Sequence, residues 1–179
     1  MSADRIKILV MAAGTGGHVF PALSIACLLK SQSVQVEWLG TPKGMENQLL
    51  ADTGIQLHKI SVSGLRGSGF IRKFLAPFML FKAFFQSLLV ILKVRPTCVL
   101  GMGGFISGPA GVAAKLLGKP LVIHEQNAVA GLTNQLLSNV ADQVFEAYPN
   151  TFGYSVRACL LYTSPSPRDL STSRMPSSA

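Results

Sequence analysis

Ile6-Lys-Ile-Leu-Val-Met-Ala-Ala-Gly-Thr-Gly-Gly-His-Val-Phe-Pro21 is an apolar run that stops on glycines and restarts as a helix. The stretch Ile6–Ala12, apolar but for Lys7, suits a strand buried on both faces, as in a parallel sheet covered by helices. From Pro21 to Lys30 the chain reads as a helix, with proline near the first turn and Leu23, Ala26, Cys27 and Lys30 at helical spacing. The glycines between them let the backbone turn sharply and bring its N–H groups close to a ligand, and the helix start behind them favours negative charge. A phosphate or diphosphate is the natural guest of such a loop, with Gly14 among the residues that hold it. The dinucleotide fingerprint is not met, because its third glycine falls on Val19, and the Gly-Lys-Ser/Thr of a P-loop is absent.

The same alternation continues outward. Val34–Leu39 reads as a strand, Glu46–Asp52 as a short helix and Ile55–Val62 as a third strand. After the glycine-rich Ser63–Gly69, a long helix over about Arg72–Lys93 leads through Pro96 to a strand, Thr97–Gly101. Ser107–Leu117 is helical, Pro120–His124 a strand, Gly131–Asn139 helical and Gln143–Ala147 a sixth strand. Strands alternating with helices predict an α/β fold, a Rossmann-like doubly wound parallel sheet of order 3-2-1-4-5-6. Residues 1–154 form one domain, a normal size for a single core. From Ser155 to Ala179 serines and prolines replace the hydrophobic period, so residues 155–179 are expected to be a disordered tail foreign to the domain.

Nearly half the residues are apolar and 13% are charged, which excludes a disordered protein. The net charge of +8 is unevenly placed: Lys59, Arg66, Arg72, Lys73, Lys82, Lys93 and Arg95 occur in one stretch that has no acidic residue. Its bases alternate with Phe, Leu and Ile and no nucleic-acid reader motif accompanies them, so a membrane surface is the better partner and nucleic acid is not expected. The span Phe70–Val94 does not read as a bilayer-crossing helix, since Arg72, Lys73, Pro77, Lys82 and Gln86 interrupt it. It reads as a crossover helix whose first part, Phe70, Ile71, Arg72, Lys73, Phe74, Leu75, Phe78 and Lys82, lies on anionic lipid. Cys27, Cys98 and Cys159 are odd in number and widely spaced, which suits buried thiols in a reducing compartment. The apolar run at the start is too short for a signal peptide, and the chain is expected to be cytoplasmic.

Two further constellations carry chemistry. Gly101-Met-Gly-Gly-Phe-Ile-Ser-Gly-Pro109 is a second glycine loop at a strand end, with Gly103 and Gly104 at its centre. Loops after the first and fourth strands flank the switch point of the sheet, where ligands bind in this architecture. His124-Glu-Gln-Asn127 follows an apolar strand and turns polar groups toward the same crevice. His18, opening the helix beside the first loop, is either a general base or a capping residue. His58 and His124 receive no role. Glu37, at the second strand's end, is the acid that a nicotinamide site would use, which keeps that rival open.

Together Gly14–Pro21, Ser63-Gly-Leu-Arg-Gly67, Gly101–Pro109 and His124-Glu-Gln-Asn-Ala-Val-Ala-Gly-Leu-Thr-Asn134 closely resemble the N-terminal domain of the MurG family. These are the bacterial transferases that add N-acetylglucosamine to the lipid-linked muramyl-pentapeptide precursor of peptidoglycan. The resemblance covers about Ile6–Phe152. It implies the N-terminal half of a two-domain GT-B fold and an inverting transfer from UDP-N-acetylglucosamine to an undecaprenyl-diphosphate-linked acceptor. It also implies peripheral attachment to the cytoplasmic face of the inner membrane. Thr15, Gly16, Gly17 and Asn127 match positions that touch the donor, Ser107 and Asn134 lie in substrate-binding motifs, His18 matches the candidate base and Glu125 a cleft acid. Phe105 stands where some members have tyrosine, so no hydroxyl acts there.

No metal and no cofactor is expected, since backbone N–H groups and helix ends can meet the diphosphate charge. Family members continue into a second domain that holds the donor nucleotide, whereas the match here ends near Tyr154. The chain is therefore expected to be a truncated form with little turnover alone, because orienting donor against acceptor supplies roughly 7–11 kcal/mol that one domain cannot provide. A membrane-surface module that binds diphosphate lipids without catalysis is the alternative.

Overall fold

The computed structural model describes residues 6–62, 70–153 and 158–160, with the backbone alone for residues 70–75. In chain order the elements are β1 (Lys7–Met11), α1 (Gly16–Ser31), β2 (Gln35–Gly40), α2 (Glu46–Leu49), β3 (Gln56–Lys59) and α3 (Phe70–Val94). They continue with β4 (Cys98–Gly101), α4 (Ser107–Leu116), β5 (Leu121–Glu125), α5 (Leu132–Ser138), β6 (Gln143–Glu146) and β7 (Ala158–Leu160). All the strands are parallel, in the order β3-β2-β1-β4-β5-β6-β7. The predicted order is present, with a short strand added at one edge. Ala158–Leu160 belong to the stretch expected as a disordered tail; they pair with Val144–Glu146 instead, and the rest of that stretch lies outside the described residues.

Successive side chains of β1 point to opposite faces and so divide the core. Leu9 and Met11 join Val99, Leu121 and Ile123 beneath Ala83 and Ile91 of α3, Ala110, Ala113 and Ala114 of α4, and Leu137 of α5. Val10 and Ala12 join Trp38, Leu100 and Met102 beneath Val19, Ala22 and Ala26 of α1. One helix thus covers the first half of one face, and three helices form a layer on the other.

Two boundaries differ from the sequence reading for local reasons. α1 begins at Gly16, five residues ahead of Pro21, because Thr15 takes an extended cap conformation and its carbonyl accepts the N–H groups of His18 and Val19 at 3.0 and 3.2 Å. Pro21 then lies inside the helix and cannot donate to the carbonyl of Gly17. β3 ends at Lys59, earlier than Val62, since Val62 N–H turns back onto the carbonyl of Ile60 at 3.1 Å.

Glu37 is buried and engaged, with Oε2 2.6 Å from His58 Nε2 and Oε1 3.4 Å from Lys7 Nζ. The same ammonium donates to the carbonyl of Val94 at 3.0 Å and so closes α3. A carboxylate committed in this way cannot hold a ribose, which removes the nicotinamide rival.

Trp38, the chain's single tryptophan, is fully buried and its indole N–H donates to the carbonyl of Ala12 at 2.9 Å, tying β2 to the start of the first glycine loop. Trp38→Phe keeps most of the apolar volume and orphans that carbonyl. A loss of about 1–3 kcal/mol is expected, read as a lower denaturant midpoint with unchanged slope by far-ultraviolet circular dichroism.

Candidate functional site

Both glycine loops lie at the carboxyl edge of the sheet, on neighbouring strands β1 and β4. They do not flank an open crevice; they are packed on one another. Gly104 has φ +78°, and a Cβ there would lie 2.5 Å from the carbonyl oxygen of Ala13. Gly103 has φ +90°, and a Cβ there would lie 2.9 Å from both Cε1 and Nδ1 of His18. A third contact closes the gap: Phe105 sits over Gly14, its ring 3.4 Å from where a Cβ would be. Gly103 and Gly104 are therefore glycines so that the loops can meet, a packing requirement that holds whether or not their backbone also meets a ligand.

This packing fixes His18. Its Nδ1 lies 3.1 Å from the carbonyl of Met102 and touches the side-chain amide of Gln126. A carbonyl only accepts, so Nδ1 carries the proton and Nε2 carries the lone pair. With Nδ1 a donor, the Gln126 oxygen, otherwise buried without a partner, is the amide atom that belongs against it. The imidazole is thus held in the tautomer a general base requires, beside Thr15 and Gly17, which are exposed.

Glu125 is withdrawn from the cleft. It is wholly buried; Oε1 accepts from Asn127 N–H at 3.1 Å and Asn127 Nδ2 at 2.7 Å, and Oε2 from Gly131 N–H at 3.1 Å and Asn134 Nδ2 at 2.9 Å. It is a positioning residue that shapes the turn after β5. Asn134, also fully buried, serves the same turn by donating to the carbonyl of His124 at 3.2 Å. Ser107 is buried too, and its hydroxyl donates to the carbonyl of Gly103 at 2.8 Å. Of the predicted substrate contacts, Gly14, Thr15, Gly17 and Asn127 stand exposed and Gly16 half-buried, so these remain reachable. Desolvation holds His124, buried on β5, below the ordinary histidine range, consistent with a neutral packing residue.

The open volume lies to one side. A cavity of about 630 Å³ is lined by Gly14, Thr41, Pro42, Lys43, Gly44, Ser61, Val62, Met79, Lys82 and Phe105. Glu46, fully buried, braces its rim: Oε1 accepts from Thr41 N–H at 2.7 Å and from Thr41 Oγ1 at 2.9 Å. The sequence reading missed this loop, although it too follows a strand's carboxyl end. Gln126 was also missed, since an amide beside a histidine has no spacing signal.

Along α3, Phe78, Phe81, Phe85, Leu89 and Leu92 recur at helical spacing and are all exposed. Ala76–Val94 is long and apolar enough to cross a membrane by length and composition, yet Ala83, Ser87 and Ile91 pack it inward. Phe78 and Lys82 are exposed as predicted; the side chains of residues 70–75 and the Ser63–Gly67 motif lie outside the described residues. The exposed stripe runs beyond Lys82 to Leu92, further than the sequence reading placed it.

Residues 8–146 match the model of the glycosyltransferase family 28 N-terminal domain. The chain belongs to glycosyltransferase family 28. The fold of a family 28 member is borne out by the crystal structure of Acinetobacter baumannii MurG, which is 51% identical with a TM-score of 0.78 over 90% of this chain and 47% of that one. A UDP-N-acetylglucosamine–N-acetylmuramyl-(pentapeptide) pyrophosphoryl-undecaprenol N-acetylglucosamine transferase of Azotobacter vinelandii is 54% identical over 82% of this chain and 41% of its own length. Its counterpart in Pseudomonas fluorescens strain SBW25 is 55% identical over 83% and 42%. The chain spans about two fifths of the length of these relatives. UDP-N-acetylglucosamine 2-epimerase from Neisseria meningitidis, 16% identical with a TM-score of 0.63, shares the fold alone. The MurG resemblance drawn from four motifs therefore holds, and this family 28 domain carries its histidine and two glycine loops in one packed unit.

Two substitutions separate packing glycines from approach glycines. Gly104→Ala meets a backbone carbonyl at positive φ and is expected to cost about 1–3 kcal/mol of stability. Gly17→Ala meets only Thr15 Oγ1 at 3.8 Å and should leave the thermal midpoint within a degree or so. Thermal melts of the two variants check the pair.

Proposed function

We propose that this chain is the acceptor-side domain of a hexosyltransferase of peptidoglycan synthesis. The reaction moves N-acetylglucosamine from UDP-N-acetylglucosamine to a muramyl-pentapeptide carried on undecaprenyl diphosphate, with inversion. The observation that carries this reading is the fixed tautomer of His18. Nδ1–H is spent on the Met102 carbonyl, so Nε2 can take the proton of an acceptor hydroxyl. As that proton leaves, the hydroxyl oxygen forms a bond to the anomeric carbon, the bond from that carbon to the UDP oxygen breaks, and UDP departs with the electron pair. Attack from the face opposite the leaving group inverts the centre.

Thr15, Gly16, Gly17 and Asn127 are the residues of this chain that meet the donor. Thr15 Oγ1 makes no cap bond, and Gly17 leaves open space above α1, whose N-terminus favours the charge of a diphosphate. Glu125 and Asn134 act through the turn that presents Asn127. A donor-binding half must be held opposite, and transfer by this chain alone is expected to be slight.

The test is transfer of radiolabelled N-acetylglucosamine to the lipid acceptor by this chain joined to the donor-binding half of the Acinetobacter relative. His18→Gln is expected to lower kcat by about 10²–10⁴ with little change in donor KM. A His18→Gln rate within threefold of the unsubstituted protein, or about that, would remove the histidine from the chemistry.

A second reading, attachment to an anionic membrane on the cytoplasmic side, is favoured by the exposed apolar stripe of α3 and by the absence of any Asp or Glu between Lys59 and Glu125. Co-sedimentation with phosphatidylglycerol vesicles should weaken with salt and should fall at least about tenfold in Phe81→Glu. Binding indifferent to both changes would contradict it.

A further inference from the structure

We propose that Gln126 is a positioning residue for the transfer: its amide bridges two histidines, accepting Nδ1–H of His18 at one end and donating to the ring of His124 at the other. This deepens the reading of His18 as the base and rests on it.

Strand geometry brings the three side chains together. Residues two apart on a strand face the same way. Val122 of β5 packs with Met102 in the core cluster beneath α1. His124 and Gln126 follow it on that face, toward the start of α1 where His18 stands. Glu125, between them, spends both oxygens on the loop after β5. His124 is buried with its ring in hydrogen-bonding contact with the Gln126 side chain, and the same amide touches His18 Nδ1.

The unpartnered atoms decide how the amide lies. With Nε2 toward His18, Gln126 Oε1 and His124 Nδ1 are both buried without a partner. His18 Nδ1 would then have to accept from the amide, and its lone pair would face the Met102 carbonyl 3.1 Å away. Half a turn of the amide exchanges its oxygen and nitrogen in the same space. The oxygen now accepts from His18 Nδ1–H, which it shares with the Met102 carbonyl, and the amide N–H is left to His124. That ring has a lone pair to offer, since desolvation holds it below the ordinary histidine range and so neutral.

A row of bonds aligned in one direction polarises itself. Here it runs from the His124 lone pair through the amide to Nδ1–H and raises the electron density on Nε2 of His18, the nitrogen that takes the acceptor proton. The far end is fixed by the sheet: β5 lies between β4 and β6, and Asn134 Nδ2 donates to the His124 carbonyl at 3.2 Å. Neither Gln126 nor His124 needs to touch substrate for this.

Proton and nitrogen-15 spectra of the full chain, with transfer by the joined protein described above, test the bridge. The His18 Nδ1 proton and one Gln126 amide proton are expected well downfield. Gln126→Leu, similar in volume, leaves Met102 as the one acceptor. The Nδ1 proton should move upfield, and kcat should fall about tenfold with donor KM unchanged. Gln126→Glu restores an acceptor and should return kcat to within about threefold of the unsubstituted rate. His124→Phe should return the Gln126 amide proton upfield. Circular dichroism melts confirm that the variants fold. An Nδ1 proton and a kcat unmoved by Gln126→Leu, while His18→Gln still abolishes transfer, would overturn the bridge and leave the base in place. A Gln126 amide proton indifferent to His124→Phe would overturn the His124 end. A rate indifferent to both Gln126→Leu and His18→Gln would overturn the base reading along with the bridge.

Discussion

The carbonyl oxygen of Ala13 and the imidazole of His18 lie against residues 104 and 103 so closely that neither position has room for a Cβ. Everything at the carboxyl edge of the sheet depends on that contact between two backbone loops. It joins β1 to β4 across the point where strand order reverses, brings the Met102 carbonyl to His18 Nδ1, and leaves Phe105 to cover Gly14. Glycines at a switch point are commonly read as room for a ligand. Here two of them are room for the protein itself, and the open cavity lies beside the ends of β2 and β3.

The buried polar groups follow the same logic. Glu125, Asn134, Ser107, Glu46 and Glu37 are all enclosed, and each carboxylate is met by donors or a cation from the segment it organises. Burying a carboxylate is costly unless such partners are present, so these five residues act as internal braces that define loop shape. Lys43 and Lys82, both exposed, form no salt bridge among the described residues. Between Lys59 and Glu125 the chain has no acid at all, and the long helix in that interval turns a row of phenylalanines and leucines to solvent.

Much of this was legible in the chain. The run Ile6–Ala12, the glycines behind it and the alternation that follows predict the parallel sheet and its order, because burial on both faces leaves a strand apolar nearly throughout, with Lys7 the one exception near its start. His18, Thr15, Gly17 and Asn127 stand in motifs whose order is visible in sequence, and all four lie just past the carboxyl ends of β1 and β5. Glu125, expected as a cleft acid, and Asn134 and Ser107, expected to bind substrate, are enclosed and bonded within the fold, since polarity at a strand end says nothing about which way a side chain turns. Gln126, Lys43 and Glu46 left no mark, for their meaning arises from neighbours 108, 39 and 5 residues away: His18, Lys82 and Thr41. Exposure along α3 extends past Lys82, the expected end of the apolar surface, because the helical period carries that surface about three turns further on, to Leu92.

Loop packing, and not a ligand, selects the tautomer of His18. Nitrogen-15 chemical shifts of its imidazole, recorded on the unliganded chain at a pH where the ring is neutral, measure this directly. A proton on Nδ1 and a bare Nε2 are expected, with that preference lost in Gly103→Ala, where the ring is pushed from the Met102 carbonyl. A neutral ring protonated on Nε2 in the unsubstituted chain would contradict it.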